Sequence, residues 1–348
     1  MIYKNVNIDN ISFVVPPVKV TSEEIEQRLD PLYKRLKLPQ GRLELMSGIK
    51  DRYFWQEGFK PSDGAIAAGK KAIQNSGIDK SEIGCLIMCS VCRDFLEPAT
   101  ATVVHNALKL SENAIVFDIS NACLGILTGI LNAANMIELG QINAALLVAG
   151  ENSRPLVEST INSLLLNNSL TRKTIKPYFA SLTIGSGAVG VVLTSKKLKS
   201  SGHSLYAGTS MSVTKYNKLC QGNEDKGMSD NNDTLMLTDS ETLMLRGVET
   251  ASKTWTMFKK EAKWENETPN VFCTHQVGTA HKKLLFDTLQ LDLKKDFPIL
   301  ESYGNSGSVS CPMTIALAEE QGELSKGDKL AVLGIGSGIN STVLGVEW

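Results

Sequence analysis

Two stretches of this chain end alike, and that likeness limits what it can fold into. "IGSGAVGVVLTS" (184–195) and "IGSGINSTVLGV" (335–346) both place Ile-Gly-Ser-Gly ahead of a run rich in β-branched residues. Each reads as a tight glycine turn feeding a buried strand. The likeness continues upstream. "CLGILTGILNAANMIELGQINAALLVAGE" and "NSGSVSCPMTIALAEEQGELSKGDKLAVLGIG" both run small-residue loop, amphipathic helix, glycine turn, polar spacer, apolar strand. The registers agree: Gly140 and Gly322 are 182 positions apart, and so are Cys123 and Asn305. The chain reads as two copies of one α/β unit, with Cys123 and Asn305 at equivalent places.

A looser pair supports the duplication. "IGCLIMCSVCRD" (83–94) and "PNVFCTHQVG" (269–278) are short apolar strands ending in polar loops. Each follows a helical pattern, "DGAIAAGKKAIQNSG" in the first half and "ETLMLRGVETASKTWTMFKKEAKW" in the second. Strands alternating with helices argue for parallel α/β units. The expected halves are 1–197 and 198–348. The segment 151–182 has no counterpart in the second half and reads as an insertion, helical around "PLVESTINSLLL"; such elements often cap sites or build dimer contacts.

With 348 residues, a net charge of -1 and 42% apolar content, the chain is enzyme-sized with ample core. The balanced charge gives no support for nucleic-acid binding. The start "MIYKNVNIDN" lacks the basic-then-apolar pattern of a signal peptide. No window approaches the roughly 18 consecutive apolar residues of a membrane span. Seven scattered cysteines fit reduced thiols, hence a cytoplasmic protein, better than a disulfide framework.

In open α/β sheets, sites form beyond the carboxyl ends of the strands. Cys123, His275 and Asn305 all fall there. A thiol near a helix start is expected to gain thiolate character from the macrodipole and free N–H groups. A histidine can move a proton, and an asparagine amide can donate to an oxyanion or enolate. Together they suit thioester chemistry through an acyl-cysteine. The glycine turn at 336–338 can bring a backbone N–H to the acyl oxygen. Taken singly, each residue has a plainer reading: core thiol, structural imidazole, turn residue. The duplication is what groups them. Cys89 and Cys92 form a single CxxC, too little for a zinc site or a redox motif. His105, His203 and His281 read as structural or surface residues, and Trp55, Trp255, Trp264 and Trp348 as packing residues.

"NACLG", "THQVG", "YGNSG" and "GIGSGINS" stand in the order found in the thiolase superfamily, on the side of ketoacyl-acyl-carrier-protein synthase III. Within it the chain most resembles the OleA group, which joins two fatty acyl-CoA molecules head to head. "SVCRDFLEP", "YNKLCQGN", "KGDKLAVLGIGSG" and the terminal "VEW" extend the resemblance over nearly the whole chain. It implies duplicated βαβ halves in a five-layered α/β/α/β/α thiolase fold, and a homodimer. It implies that Cys123 is the acyl-accepting nucleophile, with His275 and Asn305 completing the Cys-His-Asn set. The backbone N–H groups of Cys123 and Ser337 match the oxyanion hole. The turn here is Gly-Ser-Gly where many of these synthases have three glycines.

Glu97, in "DFLEPAT", discriminates among the possible reactions. Decarboxylating synthases make their carbanion by losing carbon dioxide and require no base. A non-decarboxylating Claisen condensation must remove an α-proton. The OleA-like enzymes, and similar pyrone-forming ketosynthases, carry a glutamate in this motif, contributed by the neighbouring subunit. The plainer reading of Glu97 is a loop carboxylate, solvated or paired with Arg93. The expected substrates are long-chain acyl-CoA or acyl-carrier-protein thioesters, with no metal or redox cofactor. Three alternatives remain: a pyrone synthase using the same four residues, a malonyl-dependent ketoacyl synthase III in which Glu97 is incidental, and a degenerate structural homologue.

Overall fold

The computed structural model describes residues 1–222 and 236–348. Asn223, the last residue of "YNKLCQGN", lies outside the described residues. The chain opens with β1 (Val6–Val14) and then builds a small outlying layer. There β2 (Val18–Thr21) pairs with β3 (Asp51–Phe54) around α1 (Ser22–Arg28), α2 (Asp30–Leu36) and α3 (Arg42–Ser47). The first half continues through α4 (Pro61–Ser76), β4 (Ile83–Met88), α5 (Thr100–Leu108), β5 (Ile115–Asp118), α6 (Gly125–Glu138), β6 (Ala144–Glu151), α7 (Arg154–Leu166) and β7 (Gly187–Ser195). The second half holds β8 (His203–Ser212), a small ribbon of β9 (Cys220–Gln221) and β10 (Leu237–Thr238), α8 (Ser240–Ala262) and β11 (Val271–Thr274). It ends with α9 (Thr279–Leu289), α10 (Leu300–Tyr303), α11 (Ser310–Glu320), β12 (Lys329–Gly336) and β13 (Asn340–Glu347).

The duplication is visible in the strand order. From the middle of the molecule outward, one half runs β1-β7-β6-β4-β5 and the other β8-β13-β12-β11. The directions match. β4 is parallel to β6 and β11 to β12, while the inner pairs are antiparallel. The counterpart of β5 is reduced to one parallel bridge, Phe272 to Asp296. The halves join where β1 meets β8, through only two residue pairs, Asn7–Ser204 and Ile8–His203.

Burial explains the layering. Every residue of α11 from Ser310 to Ala318 is buried. A helix apolar or small all round must have protein on all sides. α11 and α6 supply it for each other's layer: both pack against strands of the two halves, and their side chains share one core with β4, β6, β7 and β12. α4 and α5 cover the outer face of the first half and α8 and α9 that of the second. The order is therefore α/β/α/β/α, a thiolase fold.

The outlying layer was not legible in advance, although Thr21 and Glu24 carry a helix-start signature. Thr21 Oγ1 accepts the Glu24 N–H at 3.0 Å and Glu24 Oε2 accepts the Thr21 N–H at 2.6 Å. Ile25, Leu29 and Leu32 of this layer pack against Val157, Ile161 and Phe179 of the inserted segment. The inserted helix is α7, and Glu151 is the last residue of β6 rather than the first of a loop. Among the described residues no helix is long and apolar enough to cross a membrane.

α6 starts hard against the end of β4. A Cβ on Gly125 would overlap the carbonyl oxygen of Cys89. Gly125→Ala is therefore expected to cost about 1–3 kcal/mol by over-packing, read as a lowered melting temperature, whereas the same change at Gly140, with open space around it but a positive φ of 71°, should cost about 1 kcal/mol.

Candidate active site

Both central helices begin at the same end of the molecule, each after one 3₁₀ turn: Ala122–Leu124 before α6 and Gly307–Val309 before α11. Ala122 adopts the left-handed region, φ 46°, at the residue before the cysteine. Leu124 is pinned from the opposite side: β12 passes so close that a Cβ on Gly334 would overlap its Cδ2. Asn340 Nδ2 bonds Asn121 Oδ1 at 3.2 Å and the Ser337 carbonyl at 3.2 Å, tying the glycine turn to the cysteine turn.

A cavity of about 300 Å³ opens here. Cys123, His275, Asn305 and Ser337 all line it. Around them the wall is mainly apolar, with Leu43, Met46, Phe179, Met236, Leu243 and Met244, and it contains no Asp, Glu, Lys or Arg among the described residues. His275 follows β11 directly, its N–H bonding the Leu333 carbonyl at 2.9 Å. Its ring is buried, and neither ring nitrogen has a partner among the described residues. Asn305 is held by its backbone to Thr183 O at 3.2 Å and Gly185 N at 2.8 Å. Its Oδ1 accepts the Gly307 N–H at 3.1 Å, and its Nδ2 has no partner among the described residues. The site thus presents a thiol, an unengaged imidazole and an unengaged amide N–H₂.

Glu97 is not with them. It is exposed, on the loop between β4 and α5, and does not line its own chain's cavity. The same loop exposes Val91, Phe95 and Leu96. A carboxylate that the sequence did not single out sits closer. Glu151 is buried, accepting the N–H of Val91 at 3.0 Å and of Cys92 at 3.1 Å, and the Ser308 hydroxyl at 2.5 Å. It clamps the start of the Glu97 loop to the turn after Asn305. A buried acid at the end of a strand beside the nucleophile's layer was its only signal.

The electrostatics correct one expectation. Cys123 is not tuned toward thiolate: burial, then the Glu151 carboxylate and Cys220, push its thiol up to about 12. The one short helical turn it sits on does not offset that. His275 moves the other way, down to about 3, by burial and by the neighbouring His281. Both shifts favour the neutral forms of the thiol and the imidazole. His281 is a second correction. It is not a surface residue; it is buried, lines the cavity, and burial lowers it to about 4. His105 and His203 keep their structural reading, with His105 Nε2 3.0 Å from Ser111 O and His203 stacked on Trp348. The seven cysteines are all free.

The thiolate is the form that alkylates. Modification of Cys123 by iodoacetamide, followed by peptide mass mapping, should therefore rise about tenfold per pH unit from pH 7 to 10 without a plateau. Glu151→Gln removes the like charge and should speed that reaction at pH 8 on the order of threefold to tenfold. An unchanged rate would mean that the carboxylate does not act on the thiol.

Fold and cavity together define a condensing enzyme of the thiolase type. Residues 57–183 match the thiolase N-terminal domain, and residues 260–348 the C-terminal domain of 3-oxoacyl-[acyl-carrier-protein] synthase III. The chain is 41% identical over 352 residues to the acyl-CoA:acyl-CoA alkyltransferase of Shewanella oneidensis, with 100% of both chains covered. It is 35% identical to the Xanthomonas campestris pv. campestris protein of the same name, again over 100% of both. A crystal structure of Xanthomonas campestris OleA with cerulenin bound matches with a TM-score of 0.94 at 35% identity, over 100% of this chain and 98% of that one. The chain belongs to the OleA-type acyl-CoA:acyl-CoA alkyltransferases.

Proposed function

We propose that this protein joins two fatty acyl thioesters head to head by a non-decarboxylative Claisen condensation, through an acyl group carried on Cys123. The observation that carries the mechanism is the meeting of a thiol, an unpartnered imidazole and an unpartnered amide N–H₂ in one apolar cavity. The full-length likeness to alkyltransferases supports the reaction class.

In the first half-reaction the Cys123 sulfur attacks the thioester carbonyl carbon, its proton passing to His275 as the C–S bond forms. The resting pair is neutral, so charge develops only as the acyl oxygen becomes an oxyanion. The backbone N–H groups of Cys123 and Ser337 receive that oxygen. Coenzyme A leaves as a thiol, taking the proton from His275. The apolar wall accepts the alkyl chain. In the second half-reaction another thioester places its carbonyl oxygen against His275 and the Asn305 Nδ2. Loss of an α-proton gives an enolate held by those donors, whose carbon attacks the acyl carbon on Cys123 and releases the thiol. The product is a β-ketoacyl thioester, hydrolysed to the β-keto acid. Coenzyme A acts as substrate carrier, and the chemistry calls for no metal or redox group.

The α-proton needs a base, and the cavity wall of one chain offers no carboxylate or amine among its described residues. We assign the base to Glu97 of a second copy in a homodimer. Glu97 is exposed, and the apolar Val91, Phe95 and Leu96 beside it suit burial in a subunit contact. Free cysteines throughout suit a reducing cytoplasm.

Purified protein with a long-chain acyl-CoA should give the β-keto acid, or the ketone from its decarboxylation, by mass spectrometry; a lactone ring would indicate pyrone formation instead. Cys123→Ser should lose the acyl adduct, since a serine hydroxyl is far less acidic than a thiol. An adduct that persists on another cysteine would overturn the nucleophile.

Glu97→Ala should load Cys123 normally and fail to condense. Mixing it with Cys123→Ala in equal amounts makes about half the dimers mixed, each with one complete site. Activity should then return to roughly a quarter of wild type. No return, with subunit exchange verified by native mass spectrometry, would reject a base acting across the interface.

A further inference from the structure

His281 lines the cavity, and the condensation leaves its imidazole without a task. It is the third residue of α9, 8% exposed, and on the cavity wall with Cys123, His275 and Asn305. Its ring has no hydrogen-bond partner among the described residues. It lies near enough to His275 to hold that ring's basicity down. The neighbouring ion pair is already closed: Lys282 Nζ is 2.6 Å from Asp296 Oδ2, and Thr274 Oγ1 donates to Asp296 Oδ1 at 3.0 Å. No carboxylate among the described residues therefore anchors the His281 ring.

The helix start adds a second feature. α9 has no side-chain cap at Gly278, and its first backbone bond runs from the Lys282 N–H to Gly278 O at 3.0 Å. The N–H groups of Thr279, Ala280 and His281 are left without an intrahelical partner. Gly278 and Ala280 also line the cavity, so this end of the helix faces it with little side-chain bulk. A water needs two to four polar partners, and the imidazole and the free N–H groups supply them. Opposite, α3 closes on α9 so tightly that a Cβ on Gly48 would overlap the Thr279 side chain, which fixes the helix end.

We propose that His281 is the base that activates the water which hydrolyses the β-ketoacyl thioester and so releases the product as a free acid. The step rests on the condensation proposed above. His275 and the Asn305 Nδ2 keep the carbonyl oxygen that they held as an enolate, so their donors are occupied, and His281 is the other imidazole on the cavity wall. His281 takes a proton from the water as the water oxygen bonds to the thioester carbonyl carbon. The oxyanion collapses, the C–S bond breaks, and the coenzyme A sulfur takes the proton back from His281. Water is added across one C–S bond, giving an acid and a thiol. Burial keeps the resting ring neutral, and the transient imidazolium forms beside the oxyanion that stabilises it.

The test uses His281→Gln and His281→Ala in the full-length protein with a long-chain acyl-CoA. Loading of Cys123, read by intact mass, and total condensed product should stay within about threefold of wild type. The ratio of free β-keto acid to β-ketoacyl-CoA should fall by about tenfold to a hundredfold. Added imidazole should partly restore release in the alanine variant, which a purely structural role would not explain. A second measurement removes condensation altogether. Synthetic β-ketoacyl-CoA given to Cys123→Ala should be hydrolysed, and given to Cys123→Ala with His281→Gln it should persist. An unchanged acid-to-thioester ratio, hydrolysis undiminished in the double variant, or loss of Cys123 loading in both single variants would each overturn the assignment. Absence of any condensed product from the wild type would instead count against the condensation itself.

Discussion

The central helix layer is the constraint on which the rest depends. α11 is buried all round from Ser310 to Ala318 and α6 along most of its length, and neither half alone could cover them. Each half contributes one such helix, and strands from both halves enclose the pair. The direct seam between the sheets, two residue pairs of β1 and β8, is slight by comparison. Burial of apolar area at about 25 cal/mol per Å² is what makes the two copies one body. It also has a chemical consequence. The turns that precede the two equivalent helices meet at one end of the layer, and Cys123 and Asn305 lie at those turns. The site is where the repeat meets itself.

The same burial sets the electrostatics. A cavity without charged side chains, roofed by apolar residues, raises a thiol and lowers an imidazole. Glu151 adds to the first effect while bonding the loops on either side. A standing thiolate would be open to oxidation and to stray electrophiles. In the mechanism proposed above, a neutral pair that separates charge only when a thioester carbonyl arrives ties reactivity to the presence of substrate. In that arrangement the oxyanion donors matter more than the resting acidity of the nucleophile.

Much of this was legible in the chain. The 182-residue offset placed Cys123 and Asn305 at matching turns, and the two glycine turns at Gly140 and Gly322 do adopt positive φ, 71° and 76°. The helical patterns before β4 and β11 became α4 and α8 within a few residues. What could not be read depended on long-range packing. The layer of α1 to α3 has no repeat partner, and its apolar residues find their neighbours in the inserted segment, over a hundred positions away in sequence. The acidity of Cys123 was misread because a helix start is visible in sequence and desolvation is not. His281 was set aside because its six-residue distance from His275 has no meaning until Gly278 is seen to begin a helix at the cavity wall.

Glu97 shows the opposite limit, a residue assigned a role that the fold of one chain does not display. Its family motif is plain in the sequence, yet the fold of a single chain leaves it exposed and outside the cavity. If it served only solubility, its loop would have no reason to display Val91, Phe95 and Leu96 around it. A loop that exposes three apolar residues gains stability when another surface covers them. In the homodimer proposed above, covering that loop and bringing Glu97 to the partner's cavity would be a single event.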